Sequence, residues 1–208
     1  MDHTPVEKEV KFFISDQTAL KDRLQSLGAV MVQPRTREMN YRFDTPDGTL
    51  AMSGRALRLR HDVRDILTFK GPSSTVDGVR VRPEYEVEVD NIGNAWLILQ
   101  GLGYELAVSY EKWRTVYSLN DLLITLDELP YGNFTEIEGA DTAVIRSTAA
   151  VLSLNWETRI EASYLELFEI LKRKMNLNMR DLTFAEFADI PLSGADLGVS
   201  PADRPQFL

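Results

Sequence analysis

The sequence predicts an α+β fold: an antiparallel sheet of about eight strands with helices packed on the outside, and with a charged lumen if the sheet closes into a barrel. Three observations lead there. Several short segments place charged residues at every second position, which puts those charges on one face of a strand. Other segments repeat apolar residues at helical spacing and so need an apolar surface to cover. Strands and helices also fail to alternate in the regular order of a parallel α/β sheet.

The elements follow in chain order. Glu7-Lys8-Glu9-Val10-Lys11 opens a strand over residues 5–14, and Ser15 or Asp16 caps a helix with Leu20, Leu24 and Leu27 on one side and Gly28 at its end. Residues 40–45 read as extended before a Pro46-Asp47-Gly48 turn, and 55–62 with 65–70 read as a hairpin closed by Gly71-Pro72. The strand at 79–90 alternates strongly, although Pro83 cannot donate to a ladder. A helix over 92–100 ends in Leu99-Gln100-Gly101-Leu102-Gly103, echoing Leu24-Gln25-Ser26-Leu27-Gly28, and the echo suggests two related halves. Strands at 104–118, 121–129 and 133–139 complete the β part. Asp141 then caps a helix bearing Ile145, Thr148, Ala149 and Leu152, and a last helix near 161–173 carries Tyr164, Leu167, Phe168 and Leu171. Its Lys172-Arg173-Lys174 ending suits the negative pole of a helix dipole and reads as a solvated helix end. Residues 1–175 form the tunnel domain in this reading. Residues 176–208 form a C-terminal extension packed on it or peripheral to it, within which 182–187 has the pattern of a short helix.

Composition narrows the function classes. A net charge of −9 argues against a protein that coats nucleic acid or an anionic membrane. With no cysteine and two histidines, thiolate catalysis and cysteine- or histidine-built metal sites are excluded, so a metal would be held by carboxylates, which suits magnesium or manganese. No apolar run is long enough for a membrane span and no signal peptide is evident, so a cytoplasmic protein is the expectation.

The helices need the outer apolar faces of the strands, which turns the charged faces inward. Lys11, Arg58, Arg60, Lys70, Arg82, Lys112 and Arg114 would then share the lumen with Glu7, Glu9, Glu84, Glu86, Asp127, Glu136 and Glu138. Like-charged neighbours such as Arg58 and Arg60 repel unless an anion lies between them. A divalent cation on the carboxylates and a polyphosphate on the cations would balance such a cavity. The bland alternative is a sheet facing water with weak cross-strand ion pairs.

These same residues resemble the CYTH family of triphosphate tunnel metalloenzymes. Glu7-x-Glu9-x-Lys11 is similar to that family's opening signature. The likeness continues through Tyr41-Arg42-Phe43-Asp44-Thr45-Pro46, Ala56-Leu57-Arg58-Leu59-Arg60, Phe69-Lys70-Gly71-Pro72, Arg82-x-Glu84-x-Glu86, Lys112-x-Arg114, Leu126-Asp127 and Gly132 to Glu138. The resemblance implies an eight-stranded antiparallel closed β-barrel, a tunnel with a charged lumen, in which Glu7, Glu9, Glu136 and Glu138 hold Mg2+ or Mn2+, with Asp127, Glu84 and Glu86 as further ligands or as supports of those ligands. It implies that Lys11, Arg58, Arg60, Lys70, Arg82, Lys112 and Arg114 clamp a triphosphate, with Lys70, Glu136 and Glu138 as the catalytic set. Some hydrolytic members pair the lysine at the position of Lys70 with a tyrosine. Here Arg42 and Phe43 stand where that tyrosine is expected, beside Tyr41.

The activity this implies is metal-dependent hydrolysis of inorganic tripolyphosphate or a small organic triphosphate. The alternatives are a class IV adenylyl cyclase, which would share the Ser163-Tyr164-Leu165-Glu166-Leu167 segment, and a non-catalytic polyphosphate- or nucleotide-binding domain. A small-molecule triphosphate is the expected partner, with no nucleic acid and no membrane; a homodimer is left open.

Overall fold

The alternation that marks the strands in the sequence becomes the wall of a closed ring. In the computed structural model, which describes residues 5–192 and 194–204, the strands are β1 (Val6–Ile14), β2 (Val30–Asp44), β3 (Ala56–His61), β4 (Asp65–Lys70), β5 (Ser74–Val76), β6 (Val79–Glu88), β7 (Glu105–Leu119), β8 (Leu122–Leu129) and β9 (Gly132–Glu138). Eight of them run antiparallel in the order β1-β9-β8-β7-β2-β3-β4-β6, and β6 pairs back onto β1 through Glu7 opposite Arg82 and Glu9 opposite Arg80. Closure removes the sheet edges that a ring of this size would otherwise expose. The three-residue β5 pairs with β6 beyond the Gly71-Pro72 break and adds nothing to the ring.

The helices are α1 (Gln17–Ser26), α2 (Thr49–Met52), α3 (Ile92–Gly101), α4 (Thr142–Val151), α5 (Tyr164–Met175) and α6 (Gly194–Leu197). The starts of α1 and α4 are those the sequence marks, and Asn91 and Ser163 cap α3 and α5 in the same way. The side chains of Asp16, Asn91 and Asp141 accept from the first free amides of α1, α3 and α4. Ser163 and Glu166 form a reciprocal capping box on α5.

The echoed endings of α1 and α3 are the same motif. Gly28 and Gly103 take φ of +79° and +89°, and Ala29 and Tyr104 donate back to Leu24 and Leu99, each at 3.0 Å. A third copy closes α4, where Ser153 at φ +56° stands in the glycine position. Exchanging β1 with β6, β2 with β7, β3 with β8 and β4 with β9 reproduces the ring order, so the two halves share one topology.

Three apolar clusters lie outside the ring. Val10, Phe12, Ile124 and Ile137 pack under α1 and α4; Phe43, Leu57 and Leu59 pack under α3; Phe13, Tyr131 and Phe134 pack under α5 and the C-terminal residues. Tyr85 and Val87 face outward as expected but stay 47% and 55% exposed, because no helix reaches that end of β6.

The sequence reading is adjusted in two places. Strand β2 begins at Val30 rather than Asn40; its first half holds exposed Val30, Met31 and Val32, interrupted by Pro34 and register shifts, so it shows no clean alternation. Residues 182–187 form turns, not a helix. Leu182 instead exchanges backbone bonds with Ser109 and Glu111 on β7 at 2.9 and 3.0 Å. Further along the extension, Pro201 bridges to Phe13, and the Asp203 carboxylate accepts from the amides of Ser15 and Asp16 at 2.7 to 3.0 Å. The very end of the tail, residues 205–208, lies outside the described residues. Lys172 pairs with Glu169 along the helix and Lys174 donates to the Ala195 carbonyl, as befits a helix end.

Because Ser153 adopts a left-handed conformation that glycine enters without a Cβ clash, Ser153→Gly is expected to stabilise the fold by up to about 1 kcal/mol, read as a higher urea midpoint.

Candidate active site

The inward faces of the strands enclose a cavity of about 490 Å³. Every residue the sequence assigned to metal or phosphate lines it except Asp127. The wall carries nine lysines and arginines against six glutamates, so the lumen is positive in a protein whose net charge is −9.

Asp127 does not line the cavity. It is 0% exposed and stands opposite Arg114 in the ladder, on the same inward face, where its oxygens accept from Arg114 at 2.6 and 2.5 Å, from Lys112 at 3.1 Å and from the Tyr164 hydroxyl at 2.8 Å. Through these contacts it orients two lumen cations. The sequence reading missed its counterpart, Glu38, which is 1% exposed and lies 3.5 Å from Lys112 and 3.8 Å from Arg114. Burial alone would raise the Glu38 pKa, but Lys112, Arg114, Arg60 and Arg58 together pull it down to about 2.

One end of the lumen is closed by the start of α5. The Lys11 ammonium lies 4.3 Å from the centre of the Tyr164 ring and that of Lys112 lies 5.2 Å from it, so the ring forms a floor that holds both cations by cation–π attraction. Glu136 joins them, accepting from Arg114 at 2.6 Å and lying 3.2 Å from Lys11. Burial opposes its charge, but Lys11 and Arg114 prevail and hold its carboxyl well below the usual range.

On the neighbouring wall the carboxylates crowd one another. Burial raises Glu9, and Glu136 and Glu7 raise it further; burial together with Glu7 and Glu9 pushes Glu138 up to about 7. Glu7 is raised by burial, and its buried Oε2 has no hydrogen-bond partner. Lys70 bridges this wall to β6, 2.7 Å from Glu7 and 3.0 Å from Glu84; burial weakens its charge, but these carboxylates more than compensate and raise its pKa. Among the described residues no group of three acidic side chains already has the spacing of a metal cage. The donor chemistry nevertheless fits a hard divalent cation: oxygen ligands only, excess negative charge, and a buried unused acceptor. Glu7, Glu9 and Glu138 are the residues with that capacity, and Glu136 would have to be shared with Lys11 and Arg114.

At the other end, Arg58 donates to Tyr110 at 3.4 Å, Thr68 at 3.2 Å and Glu86 at 3.4 Å, and Arg60 lies 3.2 Å from Asp62. Glu86 sits at the rim and also accepts from Thr68 at 2.8 Å. Arg42 enters the lumen at the position where the family resemblance leads one to expect tyrosine, while Tyr41 packs outward against Trp96. Arg80, Tyr110 and the floor residue Tyr164 also line the cavity. Their signal was present in the sequence, since Arg80 and Tyr110 stand two residues before Arg82 and Lys112, and Glu38, Asn40 and Arg42 continue one alternation.

A closed antiparallel ring with inward-facing rows of cations and carboxylates defines a class of charge-lined tunnel proteins. The chain belongs to the CYTH domain family, whose model matches residues 6–180. It is 26% identical over 174 residues to a Methanocaldococcus jannaschii protein whose name proposes an adenylate cyclase, covering 78% of this chain and 98% of the relative. A Vibrio parahaemolyticus structure described in the same terms superposes with a TM-score of 0.71 at 23% identity, over 80% of this chain and 99% of the other. A Hippeastrum protein, named for adenylyl cyclase but described as having a dominant triphosphatase activity, superposes with a TM-score of 0.58 at 21% identity, over 78% and 95% of the two chains.

Two outcomes test the buried network. Asp127→Asn leaves Lys112 and Arg114 under-compensated and is expected to cost about 3–5 kcal/mol in denaturant unfolding. Glu38 has a depressed folded-state pKa, so its contribution to stability is present above its unfolded value and is lost as pH falls toward the folded one. Urea midpoints should therefore decline on acidification below about pH 4.5, and decline less steeply in Glu38→Gln.

Proposed function

We propose that this protein is a divalent-metal-dependent phosphohydrolase that binds a triphosphate within the tunnel. The observation that carries this reading is the convergence of Lys11, Arg58, Arg60, Lys70, Lys112 and Arg114 on one cavity of about 490 Å³. Arginine forks and lysine ammonium groups in that arrangement match a chain of phosphate oxygens.

Phosphoryl transfer depends mostly on positioning and charge stabilisation. Lys11, Lys112 and Arg114 bind phosphate oxygens near the floor, held in place by Asp127, Glu38 and the Tyr164 ring. Arg58 and Arg60 bind from the opposite wall. Lys70 remains protonated between Glu7 and Glu84 and acts as a charge that swings from carboxylate to phosphate, not as a base. The carboxylates Glu7, Glu9, Glu136 and Glu138 are the proposed metal-holding set. Bound Mg2+ or Mn2+ would supply charge neutralisation and activation of water. Burial by the floor limits competing solvent.

The second reading is an adenylyl cyclase, favoured by the names of the relatives. Hydrolysis is preferred because fifteen of the twenty-two lining residues are charged, and the two aromatic ones, Tyr110 and Tyr164, are already engaged by Arg58 and by Lys11 and Lys112, which is a poor surface for recognising a purine. Incubation with tripolyphosphate, and separately with ATP, in the presence of manganese discriminates between them. Phosphate release from tripolyphosphate is expected; cyclic AMP with pyrophosphate from ATP would overturn the hydrolase reading. Glu138→Gln is expected to lower metal-dependent turnover by on the order of 10²-fold, with an unchanged circular dichroism spectrum.

A further inference from the structure

The lumen cations divide into two groups. Lys11, Arg58, Arg60, Lys70, Lys112 and Arg114 each have a carboxylate within salt-bridge distance. Among the described residues, Arg42, Arg80 and Arg82 have none, although all three line the same cavity. Among the described residues Arg82, 7% exposed, donates only to the Gly71 carbonyl at 2.9 Å, and the buried Nε atoms of all three arginines, like those of Arg58 and Arg60, are without a hydrogen-bond partner.

Arg42 comes from β2 and Arg80 and Arg82 from β6, strands separated in the ring by β3 and β4, and all three reach the one cavity. Burial lowers the Arg42 pKa, and Arg58 and Arg80 lower it further against Tyr110 and Asp44; burial lowers that of Arg82, with Arg80 and Arg42 adding to the effect and Glu7 and Glu9 opposing it. Like charges lining one lumen, with donors unused, form a cradle for an anion. The carboxylate-paired cations make up the proposed triphosphate clamp, and the additional arginines lie in the same cavity.

We infer that Arg42, Arg80 and Arg82 form a further anionic subsite, contiguous with the triphosphate clamp, that takes a fourth phosphate and so selects linear inorganic polyphosphates longer than three units. The inference rests on the proposed triphosphate-binding role of the tunnel. Arg42 is the component that β2 contributes, and it has no described carboxylate within salt-bridge distance.

The test is calorimetric titration of the full chain with tripolyphosphate and with tetrapolyphosphate, in EDTA and again with Mg2+. Wild type is expected to bind the longer chain about tenfold more tightly, the increment of one or two charge-assisted hydrogen bonds. In Arg42→Gln and Arg42→Tyr that ratio should fall toward one, while tripolyphosphate affinity stays within about threefold of wild type. Arg80→Gln should repeat the pattern, so the result does not hang on the folding of one variant. Arg58→Gln should weaken both ligands alike. Equal binding of the two chains by wild type, or equal loss of both in Arg42→Gln, would overturn the subsite and leave the clamp standing. Binding of neither by wild type would overturn the triphosphate reading and the subsite with it.

Discussion

The buried arrangement of Lys112 and Arg114 against Asp127 and Glu38 is the constraint on which the tunnel depends. Charges this deep are expensive to desolvate, and they persist only when paired with good geometry. Asp127 meets that condition through a two-pronged contact with Arg114, a bond to Lys112 and a third from Tyr164. The acids stand opposite the cations in the ladder, on the same inward face. The phosphate-facing donors are thus held in position before any ligand arrives, which lowers the cost of binding.

That network also explains why the helices lie where they do. The floor residue Tyr164 is the first residue of α5, set by the Ser163–Glu166 capping box, and the rest of α5 packs on the outer aromatic cluster of Phe13, Tyr131 and Phe134. One helix therefore joins the apolar exterior to the charged interior. The C-terminal residues reinforce it: Leu182 bonds to β7 beside Tyr110, and Asp203 ties the tail to the start of α1.

Charge is distributed unevenly around the lumen. Carboxylates crowd on β1 and β9, whereas arginines outside salt-bridge distance of any described carboxylate line the cavity from β2 and β6. The antiparallel register sets Glu9 between Glu138 on β9 and Arg80 on β6, so the acidic bank and the β6 arginines adjoin at β1.

The period-two alternation and the helix caps are local signals, so the inward faces of β1, β3, β6, β7 and β9, the starts of α1 and α4 and the shared helix endings could be read from the chain alone. The same signals placed Glu7, Glu9, Arg58, Lys70 and Glu138 in one cavity. Which inward residues face ligand and which support them was a tertiary decision. Asp127 obeys the alternation but is covered by Tyr164 from a helix 37 residues later, and no local pattern encodes that. Glu38 lay in a strand half disguised by Pro34 and bulges. Arg42, Arg80 and Arg82 become an unbalanced cluster only because ring closure brings β2 and β6 within electrostatic reach. The sequence by itself determined which face of each strand carries charge; the closed ring, by setting which distant strands oppose one another, decided which charges are already paired and which are left for a ligand.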